Sequence, residues 1–277
     1  MKLSGTALAE KKIAEIKKCV QESGLLPKLA VIRIGNDEAS RMYVRRKQKI
    51  SSEVGITLEL FEFEIAHTEK IIALVHELNA RADIHAILIQ LPLPRELNTD
   101  AIIAAIDPKK DVDGFHTKNI GAFMSDAPVQ TPVLLLAIEW LLQETGEILA
   151  HKVACIIGKS DVFLKPLAHA LEKQGLQTSW IKPEELHSSE LTSHADVLIV
   201  AVGSPHFITP EFIKPGAIII DIGINRLADG RVVGDVDFES AARVAAWITP
   251  TPGGVGPVTI AALMWNTLQL AIKSRTQ

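Results

Sequence analysis

Apolar and polar positions along this chain alternate between two periods. Leu8, Ile13, Ile16 and Val20 recur at helical spacing through a charged opening segment, and the pattern stops at Gly24. LAVIRIG (29–35) follows as a short apolar run closed by glycine, which reads as a buried strand. After polar NDEAS, the stretch around Tyr43 resumes a helical pattern to about Glu53. GITLELFEF (55–63) alternates as a strand does, TEKIIALVHELNA (68–80) is a helix with Thr68 as its expected cap, and IHAILIQ (84–90) is a strand running into LPLP. That βαβαβ order predicts a parallel sheet wrapped by helices.

A turn-rich stretch, DPKKDVDGFHTKNIG (107–121), precedes TPVLLLAIEWLL (131–142), a helix expected to be capped by Thr131 with Pro132 in its first turn. Beyond it HKVACIIG (151–158), ADVLIVAVG (195–203) and GAIIIDIG (216–223) are apolar runs closed by glycine, and LQTSWI (176–181) is a weaker one. They predict a second parallel sheet, of the dinucleotide-binding kind. No internal repeat or low-complexity linker marks the boundary, which pattern alone places near residue 140.

Bulk properties narrow the partners. A chain of 277 residues suits two domains, and a formal charge of -4 leaves no basic footprint for nucleic acid, so a small-molecule partner is expected. Cys19 and Cys155 have no metal-ligand spacing around them, so the reading is buried thiols in a reducing compartment, with no metal. The lysine-rich opening helix resembles neither a signal nor a transit peptide. No run approaches the roughly 18 apolar residues of a membrane span. A cytoplasmic protein without membrane contact is the expectation.

In open parallel sheets ligands sit beyond the carboxyl ends of the strands, a rule that collects Gly35, Gln90, Gly158, Gly203 and Gly223. It also places YVRRK (43–47), where Tyr43 and Lys47 share a helical face, beside the QLPLP turn. Taken alone, that pair equally suits a surface contact of phenol on lysine stem. Gln90 alone suits a loop cap, and Asp111 and Asp113 before Gly114 suit turn chemistry. Short-chain dehydrogenases use the same YxxxK spacing deep inside a single Rossmann domain. Here the pair precedes the dinucleotide unit, which argues against that reading.

YVRRK, ILIQLPLP (87–94), DPKKDVDGFH (107–116), TP (131–132), KPGAIIIDIGIN (214–225), VGDVDF (233–238) and ITPTPGGVGPVT (248–259) stand in an order that resembles, almost end to end, the bifunctional methylenetetrahydrofolate dehydrogenase/cyclohydrolase family. The resemblance implies an α/β fold of two domains with a cleft between them. Residues 1–140 with a C-terminal helix (256–277) would form a three-layer catalytic domain that binds folate, and 141–255 a Rossmann-like NAD(P)-binding domain. It also implies a homodimer.

The implied chemistry is hydride transfer from 5,10-methylenetetrahydrofolate to NADP, then hydrolysis of the methenyl cation to 10-formyltetrahydrofolate. Lys47 would be the acid/base of the hydrolysis, oriented by Gln90. Tyr43 would lie against the folate ring system, and Asp113 would accept two hydrogen bonds from the pterin. Gly253, Gly254 and Gly256 would bring backbone close to the substrate, with Thr259 beside them. Gly158, Lys159, Ser160, Pro183, Gly203 and Ile224 would hold the cofactor.

The cofactor half departs from the family pattern. Where GRSxxVGxP is typical, this chain has GKSDVFLKP (158–166). Leu164 replaces a glycine, and its isobutyl group is expected to fill space at the pyrophosphate. Lys159 supplies a positive charge for a 2′-phosphate without a planar fork. In IKPEEL (181–186), Glu184 and Glu185 would repel that phosphate if turned inward, or accept ribose hydroxyls as NAD sites do, unless PEE merely begins a helix. NADP, NAD and no cofactor therefore stay open. The alternatives are a cyclohydrolase with a degenerate or NAD-preferring nucleotide site, and a non-catalytic folate-binding protein. Retention of Lys47 and Gln90 speaks against the last.

Overall fold

In a computed structural model, which describes residues 1–186 and 190–275, the opening segment forms α1 (Gly5–Ser23). There follow β1 (Lys28–Ile34), α2 (Glu38–Val54), β2 (Thr57–Phe63), α3 (Thr68–Ala80), β3 (Ala86–Ile89), α4 (Thr99–Ala104) and α5 (Thr117–Met124). The strands make a parallel sheet in the order β2-β1-β3. Parallel neighbours need crossovers, which α2 and α3 provide. β1 is central, and its side chains from Leu29 on are buried, as a strand covered on both faces requires. Ile32, Ile34, Ile71, Val75, Ile87, Ile89 and Ile102 pack together on one side of this sheet.

Two caps differ from the sequence reading. His67, not Thr68, occupies the N-cap of α3, and the Thr68 hydroxyl accepts instead from Asn98 N at 3.0 Å. The apolar helix α6 (Val133–Glu144) begins just after Pro132, and Val133 N donates to Asp113 O at 3.2 Å. Thr131 and Pro132 thus belong to the loop before α6. α2 does carry a conventional cap, the Asp37 carboxylate accepting from Ser40 N at 2.6 Å.

The remaining elements are β4 (Val153–Gly158), α7 (Asp161–Lys173), β5 (Gln177–Ile181), β6 (Val197–Ala201), β7 (Ile218–Asp221), the hairpin β8 (Asn225–Arg226) and β9 (Val232–Val233), α8 (Phe238–Ala241), β10 (Trp247–Ile248) and α9 (Val255–Arg275). Five of these strands form a parallel sheet in the order β10-β7-β6-β4-β5. The chain builds outward from β4 in one direction to β5 and in the other through β6, so the winding reverses between β4 and β6, which is where ligands of such sheets bind.

The chain divides into two compact units, Glu10–Leu134 with Ile260–Gln277, and Met1–Ala9 with Leu135–Thr259. The last two positions of the expected C-terminal helix, 276 and 277, lie outside the described residues. The first nine residues fall in the second unit, not in the 1–140 expected. Backbone pairing explains the difference: Leu3 N donates to Ile248 O at 2.8 Å, Ile248 N to Met1 O at 3.0 Å, and Thr6 N to Gly253 O at 3.0 Å. α9 also corrects the reading that no segment approaches membrane-span length, since its 21 residues are long and apolar enough by composition. Leu263, Met264, Asn266, Thr267 and Leu268 are all buried, as in a core helix.

Candidate active site

α2 presents Tyr43 and Lys47 on one face at i, i+4 spacing. Lys47 Nζ donates to Gln90 Oε1 at 2.8 Å, and Gln90 Nε2 donates to Leu91 O at 2.8 Å. That second bond decides the amide's orientation, because only the carbonyl oxygen is then left to face the amine. Gln90 is itself held at the end of β3, its N–H donating to Ile32 O at 2.9 Å. Burial pushes the Lys47 pKa below the ordinary lysine value, and the Asp113 carboxylate opposes it. Burial pushes Asp113 up to about 6, with Lys47 pulling it down and Asp111 adding to the rise. The Tyr43 phenol is raised by burial, against the Arg46 charge.

Asp113 sits in a loop fastened from several sides. Ile87 N donates to Lys110 O at 2.7 Å, so the loop runs beside β3. The Asp111 carboxylate is buried and accepts from Gly114 N at 3.2 Å, His116 N at 2.8 Å and Asn119 Nδ2 at 2.9 Å. Gln130 Nε2 donates to Asp111 O. From α9, Asn266 Nδ2 donates to Val112 O at 3.2 Å and Thr131 O at 2.9 Å. Gly114 takes φ +80, and a Cβ there would stand 3.0 Å from Pro132 Cα. Of these supports the motif reading singled out Asp111 and Gly114 only. Asn119, Gln130 and Asn266 escaped it, for a polar residue in a helix or loop looks the same whether it faces water or a distant carbonyl.

In the second unit Gly158, Lys159 and Ser160 connect β4 to α7, Pro183 opens a 3-10 turn after β5, Gly203 follows β6, and Ile224 follows β7 with about half of its surface exposed. All lie at or just past carboxyl ends of the parallel strands. Gly158 and Gly203 flank the reversal between β4 and β6, and a Cβ on Gly203 would lie 4.0 Å from Lys159 Nζ. Ser160 occupies the N-cap of α7 without a side-chain cap bond. The first amides of that helix therefore have no cap from Ser160.

Two expectations change here. Leu164 is fully buried, and a Cβ on Gly158 would meet its Cδ2 at 3.2 Å. The isobutyl group packs beneath the strand end. Glu185 Oε2 accepts from Lys182 N at 2.9 Å, so this carboxylate caps its own short turn, as the local reading of PEE requires.

A pair of buried aspartates fastens the same loops. Asp235 accepts from Val202 N at 2.5 Å, Gly203 N at 2.8 Å, Ser204 N at 2.9 Å and Asn225 Nδ2 at 2.8 Å. Asp221 accepts from Gly223 N at 2.9 Å, Asp235 N at 3.1 Å and Val236 N at 3.0 Å. Burial nonetheless pushes Asp221 up to about 7, with the Asp235 charge adding to the rise. Gly223 and Gly234 leave room for these carboxylates, since a Cβ would stand 2.2 Å from Asp235 Cγ or 1.8 Å from Asp221 Oδ2.

Gly253, Gly254, Gly256 and Thr259 lie at the turn before α9 and in its first turns. The crowding at Gly253 and Gly254 comes from the chain itself. A Cβ on Gly254 would lie 2.5 Å from Pro250 O, one on Gly5 would lie 1.7 Å from Gly254 O, and Gly253 takes φ +99. The Thr259 hydroxyl donates to Gly256 O at 2.8 Å.

Comparison with known proteins gives matches over nearly the whole chain. The family model for the tetrahydrofolate dehydrogenase/cyclohydrolase catalytic domain matches residues 3–113, and that for the corresponding NAD(P)-binding domain matches residues 132–275. The chain is 44% identical over 277 residues to a protein of Streptococcus pyogenes named Bifunctional protein FolD, covering 98% of each. It is also similar to the bifunctional FolD methylenetetrahydrofolate dehydrogenase/cyclohydrolase of Campylobacter jejuni (37% identity, TM-score 0.93, 99% of each chain). A Trypanosoma brucei FolD solved with NADP cofactor and inhibitor is 30% identical with TM-score 0.94, over 100% of this chain and 99% of that one.

Proposed function

The chain belongs to the tetrahydrofolate dehydrogenase/cyclohydrolase family, and we propose that it oxidises 5,10-methylenetetrahydrofolate to the methenyl compound and hydrolyses that cation to 10-formyltetrahydrofolate, in one-carbon folate metabolism. The observation that carries this reading is the Lys47 Nζ to Gln90 Oε1 bond at 2.8 Å, in surroundings that depress the lysine pKa. One N–H of the amine is spent on a neutral amide, which aims the nitrogen without adding a charge that would hold it protonated. Lys47 takes a proton from the water that attacks the methenyl carbon, and returns one to the ring nitrogen as the carbon–nitrogen bond opens. Asp113, ionised above about pH 6, accepts the paired N–H donors of the pterin. Tyr43 shields the ring from solvent, and Gly253, Gly254, Gly256 and Thr259 complete the substrate contacts.

When bound, a nicotinamide dinucleotide supplies the hydride acceptor. The residues present suit its phosphates: Ser160 leaves the first amides of α7 uncapped, Leu164 is turned into the core, and Lys159 lies near Gly203. Pro183 and Ile224 line the neighbouring strand ends. We assign NADP as the preferred cofactor, because Lys159 brings a positive charge beside Gly203 at this end of the sheet while Glu185 is held on its own turn. A cytoplasmic homodimer belongs to the same reading.

Reduced-cofactor formation from the methylene substrate with NADP and with NAD, alongside methenyl hydrolysis, tests it. Hydrolysis without reduced cofactor would instead indicate a decayed nucleotide site. No rate above buffer in either assay would indicate a non-catalytic folate binder.

A further inference from the structure

A cavity of about 460 Å³ opens on the other flank of α2, within the range of small-molecule sites. Arg41, Val44, Arg45 and Gln48 face it at i, i+3, i+4 and i+7, about 130° around the helix from Tyr43 and Lys47. Its other walls are Asn36, which follows β1, and Phe63 at the end of β2. The cavity therefore occupies the carboxyl end of a parallel strand pair, where such sheets take ligands.

Arg33 lies at its floor, 4% exposed and in register with Glu62 on the neighbouring strand. Arg33 Nε donates to Glu62 Oε1 at 2.7 Å and Nη1 to Gly35 O at 2.6 Å. Nη2 has no partner among the described residues, so one edge of a buried guanidinium fork is unspent. Arg41 and Arg45 form no ion pair with a described residue. Of the two acids in the lining, Glu62 is engaged by Arg33, and Glu64 is exposed. Planar forks that converge in this way match the paired oxygens of carboxylates and phosphates.

We propose that this cavity is a second ligand site, separate from the Lys47 site, for a small molecule carrying two or more carboxylate or phosphate groups. The proposal does not depend on the catalytic reading.

Calorimetric titration of the full chain with pyrophosphate and, separately, citrate at constant ionic strength tests it and tells the two oxyanion sources apart. Saturable one-to-one binding of either is expected, weakened at least tenfold in the Arg41→Gln/Arg45→Gln double variant and less in the Arg41→Lys/Arg45→Lys variant. The two positions are on the helix surface, so an unchanged circular dichroism spectrum is expected. Lys47→Met and Lys159→Gln should bind as the parent does. No saturable binding of either anion overturns the proposal, as does binding that survives the double Gln variant or is lost in Lys159→Gln.

Discussion

Lys47 and Asp113 are a partly buried ammonium and carboxylate whose pKa values move toward each other, the lysine down and the aspartate up to about 6. Burial drives both shifts and each partner's charge resists the other's, so the pair stands closer to proton exchange than exposed groups would.

Replacing Lys47 with methionine should lower methenyl hydrolysis by about 10²- to 10⁴-fold, the usual worth of general acid–base catalysis, with little loss of folate binding. Gln90→Glu should act in the opposite electrostatic sense. A carboxylate at 2.8 Å stabilises the ammonium, so the hydrolysis pH profile moves to higher pH. An unmoved profile would mean that the amide does not set the amine's charge state.

Asp113→Asn removes the charge that opposes the lysine's depression, so the Lys47 pKa should fall further. The pH dependence of reductive methylation at Lys47 reads this without any turnover. The stability sign also follows. With a folded pKa of about 6 above the unfolded value of about 3.9, the native state binds more protons in that window, so this residue's contribution to stability declines as pH rises through it. Urea midpoints between pH 4 and 6 should fall less steeply in Asp113→Asn.

Asp235 collects donors from the loops after β6 and β7, at Gly203 N and Asn225 Nδ2 among others. Asp235→Asn should weaken NADP binding at least tenfold in a fluorescence titration while methenyl hydrolysis stays near the parent rate. Equal loss of both would point to general unfolding.

Leu164→Gly restores the residue typical of the family, yet it should destabilise the protein by about 3–5 kcal/mol through the cavity it leaves under Gly158. NADP affinity should not improve. Tighter binding would mean that the leucine obstructs the nucleotide after all.

Residue periodicity was enough for most of the fold. Runs such as LAVIRIG and VACIIG are apolar because a parallel strand is covered on both faces, and the 3.6-residue stripe of α3 emerges at the expected bounds, Thr68–Ala80. β10, two residues long, has too few positions to show any period. Helical spacing alone put Tyr43 on the face of Lys47, and strand ends marked Gln90, Gly158 and Gly203.

Tertiary structure decided which of these groups meet and what their neighbours do. That Gln90 turns its oxygen to Lys47 depends on Leu91 O, and the hold on the Asp113 loop depends on Asn266, far along the chain. Leu164 faces inward because a helix start packs under a strand end, which spacing in one dimension cannot specify. Charge state and hydrogen-bond partner are properties of surroundings brought together only by folding, and local sequence carries the period of an element without the identity of what lies across from it.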